Sequence, residues 1–300
     1  MPKIQYEEKK FRAKSLETIE QANEIIEEYQ SHGLDLTLRQ LYYQFVARDL
    51  IPNTQNSYKA LGNTIRDARM AGLIDWWAIV DRTRGLRGNT HWDSPESIIS
   101  ATARGYREDK WADQDVRVEA WIEKEALIGV ISNVCREYDI DYFACKGYAS
   151  ASSTWSAAQR LQEYNKAGQS VVVLHLGDHD PEGWDITRCV DEQLANFGAN
   201  VEIKRLALNY DQVERYDPPP NPVKLSSSRA RGYIEDHQTT SVWELDALDP
   251  LVISDLIGDA VREVRDERTW EASCRREDEN KESLQNVHER WPEVIQFLNR

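Results

Sequence analysis

Two acidic stretches follow apolar runs at spacings that bear on chemistry. Ser170 to Leu176 is nearly all apolar, and Gly177-Asp178-His179-Asp180-Pro181 follows it directly. Val116, Val118, Ala120 and Ile122 alternate with other residues, and Glu123 comes next. Alternate acids after a buried strand project toward one rim, and a carboxylate from another strand end completes a set of three hard oxygen donors. Three carboxylates held together need a neutralising partner, and Mg2+ or Mn2+ with retained waters is the usual one. Such a centre polarises a phosphoryl oxygen or stabilises the leaving oxygen of a phosphodiester. Asp178 and Asp180 have a second reading as caps of a helix that starts at Pro181. Their spacing alone does not decide between the two.

The elements that must position these acids read as alternating strands and helices. Strands are expected over 116–122, 141–145, 170–176 and 201–208, and helices over 124–137, 150–167 and 181–196. This order predicts an α/β fold, a Rossmann-like domain with a mostly parallel sheet and right-handed crossovers. Ligands of such sheets bind beyond the carboxyl ends of the strands. The Pro-rich run 217–222 predicts an exposed loop, followed by a short strand over 241–245 and helices over 250–267 and 271–289.

Upstream, a helix is expected over 15–30, with Ser15 as N-cap and Gly33 as its left-handed stop. A second starts at Thr37 with the stripe Leu38, Leu41, Tyr42, Phe45 and Val46. A third runs from Thr54 to Ala71, burying Tyr58, Leu61, Ile65 and Ala68, and a strand is expected over 73–80. Three helices and a strand predict an N-terminal winged-helix domain. Lys59, Asn63, Arg66 and Arg69 or Met70 would line the outer face of its third helix, either along a nucleic-acid groove or as a solvated charged face.

The 300 residues are 40% hydrophobic and 30% charged, a globular composition. No apolar run approaches the roughly 20 residues of a membrane span, and the first residues carry no secretory h-region, so no membrane association is expected. Cys135, Cys145, Cys189 and Cys274 form no CxxC pair and no zinc spacing, which suits reduced thiols in a cytoplasmic protein. Neither GxxxxGK[ST] nor GxGxxG occurs. The net charge of −15 alone argues against nucleic-acid binding. Its distribution does not: residues 34–90 net +3, the first 33 net −2, and those from His91 onward net −16.

Ile122-Glu123-Lys124-Glu125-Ala126-Leu127, then Lys146-Gly147-Tyr148, then Gly177-Asp178-His179-Asp180-Pro181-Glu182-Gly183 resemble the Toprim domain. In particular they are similar to the branch that holds the topoisomerase VI A subunit and the meiotic double-strand-break transesterases. The three motifs occur in the family's order. The resemblance implies that Glu123, Asp178 and Asp180 bind Mg2+ (or Mn2+). It extends upstream, where Thr37-Leu38-Arg39-Gln40-Leu41-Tyr42-Tyr43 is similar to the family's Arg-x-x-(Tyr/Phe)-Tyr element and implies that Tyr43 is the nucleophile. The resulting boundaries are an N-terminal helical extension (1–33), a winged-helix domain (34–90), a linker (91–115), a Toprim domain (116–248) and C-terminal helices (249–300).

The residues agree with those roles. Tyr42 belongs to the apolar stripe, whereas Tyr43 falls off it, with Arg39 one turn away at i, i+4. An arginine beside a phenol can hold a phosphate and favour the phenolate, since an ordinary tyrosine pKa is about 10. Taken by itself Tyr43 also reads as a half-buried packing aromatic. Lys146 reads as a phosphate contact at the rim or a solvated lysine, and Arg82 and Arg84 as backbone-phosphate contacts or a surface loop. His175 is expected to be a core residue, and His179 to point away from the acids.

Three functions remain open on the sequence. The first is a Mg-dependent tyrosine transesterase of topoisomerase VI A type, in which Tyr43 cleaves DNA and forms a 5′-phosphotyrosyl link. The resemblance implies a homodimer for it, with a separate GHKL ATPase subunit if strands are to be passed. The second is a Toprim nuclease whose acids activate water. The third is a non-catalytic DNA-binding protein that uses Lys59, Arg66 and Arg69.

Overall fold

The computed structural model describes residues 3–80, 91–224 and 227–299. Its centre is a four-stranded parallel sheet of β1 (Val116–Ile122), β2 (Asp141–Ala144), β3 (Ser170–Leu176) and β4 (Val201–Ala207), in the order β2-β1-β3-β4. β1 and β3 run in register from Val116 opposite Ser170 to Ile122 opposite Leu176. Both central strands are therefore covered on two faces; β3 is nearly all apolar, whereas β1 also carries Arg117, paired with Asp109, and the buried Glu119, paired with Arg160.

Helices pack in sequence order around this sheet and its N-terminal neighbour. α1 (Ala13–Ser31), α2 (Leu38–Ala47) and α3 (Gln55–Met70) form a small bundle, and α4 (Pro95–Gly105) follows. The sheet crossovers are α5 (Ile128–Glu137), preceded by a single 3-10 turn over Glu125–Leu127, α6 (Ala151–Lys166) and α7 (Pro181–Asn196). Beyond β4 come α8 (Tyr210–Tyr216), the two-residue strands β5 (Asn221–Pro222) and β6 (Ser241–Val242) flanking α9 (Ala230–His237), then α10 (Pro250–Val264), α11 (Glu267–Glu289) and α12 (Trp291–Leu298). One core joins β1 and β3 to α5 and α10 through Ile122, Leu174, Ile131 and Ile257. A second, on the opposite face, joins Trp121 and Val173 to Leu161, Ile186 and Leu194. A third fills the N-terminal bundle and reaches Ala247, in the 3-10 turn Leu245–Ala247. The bundle is thereby fixed to the sheet's carboxyl edge, and Tyr29 Oη donates 2.7 Å to Asp249 Oδ2 at the same seam.

Several expected elements differ. No strand forms over 73–80: Ile79 makes a single bridge to Leu36 and Ala71 one to Gln5. The buried Asp75 is the reason, because its Oδ1 accepts the Trp77 N–H at 2.8 Å and its carbonyl that of Ala78, folding the run into a turn. α1 starts at Ala13 with Arg12 in the cap position and no side-chain cap, so Ser15 lies inside the helix. Thr37 and Thr54 do cap α2 and α3. Of the strand expected over 241–245, Ser241–Val242 pairs with Asn221–Pro222 and Trp243 makes a single antiparallel bridge to His179, so the Pro-rich run is partly built into the fold. The stretch expected as a linker contains α4.

α4 packs against α11, and Glu277 links the two regions. Its carboxylate accepts the Glu108 N–H at 3.0 Å and pairs with Lys110 at 2.6 Å and Lys281. Burial opposes its charge, but Lys110, Lys281 and the Glu108 N–H overcome it and hold its pKa near 2, below the ordinary 4.5. A depressed carboxylate contributes stability that is complete above its ordinary pKa and is lost as pH falls through the folded value. Glu277→Gln is expected to destabilise the α4–α11 contact by about 2 kcal/mol at pH 7, and the difference from wild type should shrink between about pH 4.5 and 2. Hydrogen exchange of α11 as a function of pH checks this; equal protection in both proteins at pH 7 would refute it.

Candidate active site

The carboxyl ends of β1 and β3 form the rim that carries the acids. Beyond β1 the Glu123 N–H still donates to the Leu176 carbonyl at 2.8 Å, and the Glu123 Oε2 accepts the Asp178 N–H at 3.0 Å. Gly177 leaves room for this contact, since a Cβ there would sit 2.9 Å from the Glu123 Oε2. Asp180 caps α7, its Oδ1 accepting the Gly183 N–H at 2.6 Å, with Pro181 in the first turn. A Cβ on Gly183 would lie 2.3 Å from the Asp178 carbonyl oxygen, so only glycine lets α7 start this close to the rim. The capping reading thus holds for Asp180, which also lines the cavity described below.

Asp178 is buried. Its Oδ1 accepts the Leu245 N–H at 2.8 Å, and its Oδ2 lies 2.8 Å from Lys124 Nζ. Lys124 also lies 3.1 Å from Glu244 and 3.7 Å from Asp246. Burial works against its charge, but Asp178, Asp246 and Glu244 prevail and raise its pKa above the ordinary lysine value. Glu123 is pushed up to about 7, first by burial and then by the charge of Asp178. Asp180 is raised by burial, with the Gly183 N–H opposing. Arg205, a charged residue in β4, ties the rim together from below. It donates to the Asp178 carbonyl at 2.6 Å and to Gly183 and Thr187, and burial lowers its pKa to about 10.

Opposite this rim stands α2. Arg39 Nη2 donates to Glu244, and its Nε lies 2.9 Å from Asp246. Tyr43 is buried at 3% exposure, its ring 5.3 Å from that of Tyr42 and 5.9 Å from the Arg39 guanidinium carbon. Burial and the Glu244 charge push its phenol up to about 12, with Arg39 opposing. The expectation that Tyr43 escapes the packed face fails because the Leu245–Ala247 turn packs onto α2. Tyr42 is core as expected, its Oη bonded to Asn53. A cavity of about 680 Å3 separates α2 from the rim, and Arg39, Tyr43, Lys124, Asp178, Asp180 and Glu244 all contribute to its wall. Its volume falls within the range of ligand pockets.

The remaining expected contacts lie outside this cavity. Lys59 and Arg66 are exposed on α3, Arg66 paired with Asp67. Arg69 turns inward instead, donating 2.6 Å to the Trp76 carbonyl with its guanidinium 4.7 Å from the Trp76 ring centre, so it packs the turn after α3. Lys146 is solvated and pairs with Glu125 at 3.0 Å. Arg82 and Arg84 lie outside the described residues. His175 is a buried core residue bonded to Thr187. His179 turns away from the acids, its Nδ1 2.7 Å from Tyr233 Oη in a cage with Trp184, His237 and Trp243.

Sequence reasoning missed Lys124, Glu244, Asp246 and Arg205. Lys124 directly follows Glu123, Glu244-Leu245-Asp246 repeats the spacing of Asp178-His179-Asp180, and Arg205 interrupts an otherwise half-apolar strand; each was a readable signal. Glu123, Asp178 and Asp180 supply the hard oxygens that suit Mg2+, and their like charges favour a cation. Among the described residues, however, no group of three or more His, Cys, Asp or Glu side chains is arranged to hold a metal ion. Asp178 already has one oxygen on the Leu245 N–H and the other on Lys124, and Glu123 is not among the residues that line the cavity. No helix among the described residues is long and apolar enough to cross a membrane. The chain matches no protein-family model and no curated protein.

Proposed function

We propose that the protein is a DNA-cleaving tyrosine transesterase of topoisomerase VI A type, joining a winged-helix-like bundle to a Toprim-like sheet. The observation that carries this reading is that Arg39 and Tyr43 from α2 line the same cavity as Asp178 and Asp180 from the rim. Both groups of residues come from a single chain; the resemblance would add a second copy of this chain and, for strand passage, a separate GHKL subunit.

Arg39 holds a phosphate oxygen and orients the phosphorus toward Tyr43. The Tyr43 oxygen bonds to phosphorus as the bond to the 3′ oxygen breaks. The phenol proton passes through solvent to that oxygen, leaving a 5′-phosphotyrosyl link and a free 3′-OH. Bound to Glu123, Asp178 and Asp180, Mg2+ would supply positive charge toward the phosphate. Lys59 and Arg66 on the outer face of α3 would contact the DNA backbone, giving salt-dependent binding.

A second reading, hydrolysis by a Toprim-type nuclease, is favoured by the burial of Tyr43 and its raised pKa. There the rim acids activate water and Tyr43 only packs. Cleavage of labelled duplex DNA with Mg2+ or Mn2+, stopped in denaturant and run with and without proteinase, separates the two. Label retained on the protein until proteinase releases it supports the transesterase, and free fragments with no attached protein support the nuclease. Asp178→Asn is expected to reduce cleavage by about a hundredfold or more in either case. Undiminished cleavage in that variant would remove the rim from both mechanisms.

A further inference from the structure

We propose that Arg39 and Lys124 form a phosphate-binding pair, and that the Glu244 carboxylate is its built-in occupant, displaced when a substrate phosphate arrives. This deepens the function proposed above and rests on it, because it describes how phosphate enters the same cavity. A single oxygen, Glu244 Oε2, accepts from Arg39 Nη2 and from Lys124 Nζ, the latter at 3.1 Å. The two cations come from α2 and from the end of β1, so the carboxylate bridges the two walls. An anionic oxygen shared by a guanidinium and an ammonium is how a phosphate oxygen is commonly held.

The neighbouring carboxylates show that the pair survives loss of this occupant. Asp246 has a side chain 4% exposed and lies 2.9 Å from Arg39 Nε, bracing the guanidinium from behind. Asp178 braces Lys124 at 2.8 Å in the same way. Glu244 differs from Asp246: its side chain is 27% exposed, and it contributes to the cavity wall. When Glu244 swings out, each cation therefore keeps one buried partner and its orientation. The single negative charge of a phosphodiester then replaces the single charge of Glu244, and the balance of the cluster is unchanged. A cavity otherwise lined by Asp178 and Asp180 repels anions, and a displaceable carboxylate keeps the cations paired until one arrives.

Titration of the full chain with inorganic phosphate, followed by calorimetry at fixed pH and ionic strength, tests this. Glu244→Gln keeps the shape but removes the charge, and is expected to bind phosphate about tenfold more tightly than wild type. Glu244→Asp keeps the charge on a shorter side chain that cannot bridge both cations, and a smaller gain is expected. Adding Lys124→Met to Glu244→Gln should abolish the gain. If both single variants are folded by circular dichroism and bind phosphate no better than wild type, the proposal is overturned. Should Glu244→Gln fail to fold, Glu244→Asp decides in the same way. The result is separable from DNA cleavage. Tighter phosphate binding with no cleavage leaves the anion site and removes the transesterase, whereas cleavage with no gain removes the role of Glu244 alone.

Discussion

Tyr43→Phe is expected to abolish protein-linked DNA while leaving the fold intact. The substitution removes one oxygen from a side chain that is otherwise packed against Tyr42 and Arg39. The stability change should stay within about 1 kcal/mol, the net worth of a hydrogen bond. Covalent cleavage, by contrast, loses its nucleophile and should fall by on the order of a thousandfold or more. With a phenol raised to about 12 by burial and by Glu244, only a small fraction is ionised near neutrality. Attack therefore relies on Arg39 and on substrate positioning more than on preformed phenolate. The readout is the proteinase-sensitive label in the denaturing assay. Free fragments formed at the wild-type rate by Tyr43→Phe would select the nuclease and leave Tyr43 a packing residue.

Lys124→Met is expected to cost about 3 kcal/mol or more of stability. The ammonium faces Asp178, Glu244 and Asp246 within 3.7 Å, and removing it leaves buried carboxylates without a counter-charge. Arg39 compensates Glu244 and Asp246 in part, but among the described residues no other salt bridge reaches Asp178. Urea unfolding at pH 7 measures the loss. Combining Lys124→Met with Asp246→Asn should recover part of it, because the two side chains share one network and their effects are not additive. A loss under about 1 kcal/mol would mean that the cluster is solvated like a surface pair.

The sheet was legible because its signals are local. Alternation from Val116 to Ile122, the apolar run from Ser170 to Leu176 and the cap Asp180-Pro181 each depend on neighbours a few residues away. Asp75 shows the limit of such signals. The run 73–80 has strand composition, yet one side chain accepting the Trp77 N–H turns the backbone. Arg69 shows another limit, since its helical spacing placed it with Lys59 and Arg66 and the Trp76 turn drew it inward.

For the candidate site, the sequence by itself determined which residues stand at the strand ends: Glu123, Asp178 and Asp180 follow apolar strands wherever the chain folds as a parallel sheet. It also determined that Tyr43 lies one helical turn from Arg39. Only the tertiary structure decided that these two groups face each other, and that Lys124 and Glu244 lie between them. Lys124 and Glu244 are 120 residues apart. Their contact depends on how the Leu245–Ala247 turn docks α2 onto the sheet, which is a matter of packing and charge balance among distant segments rather than of any local pattern.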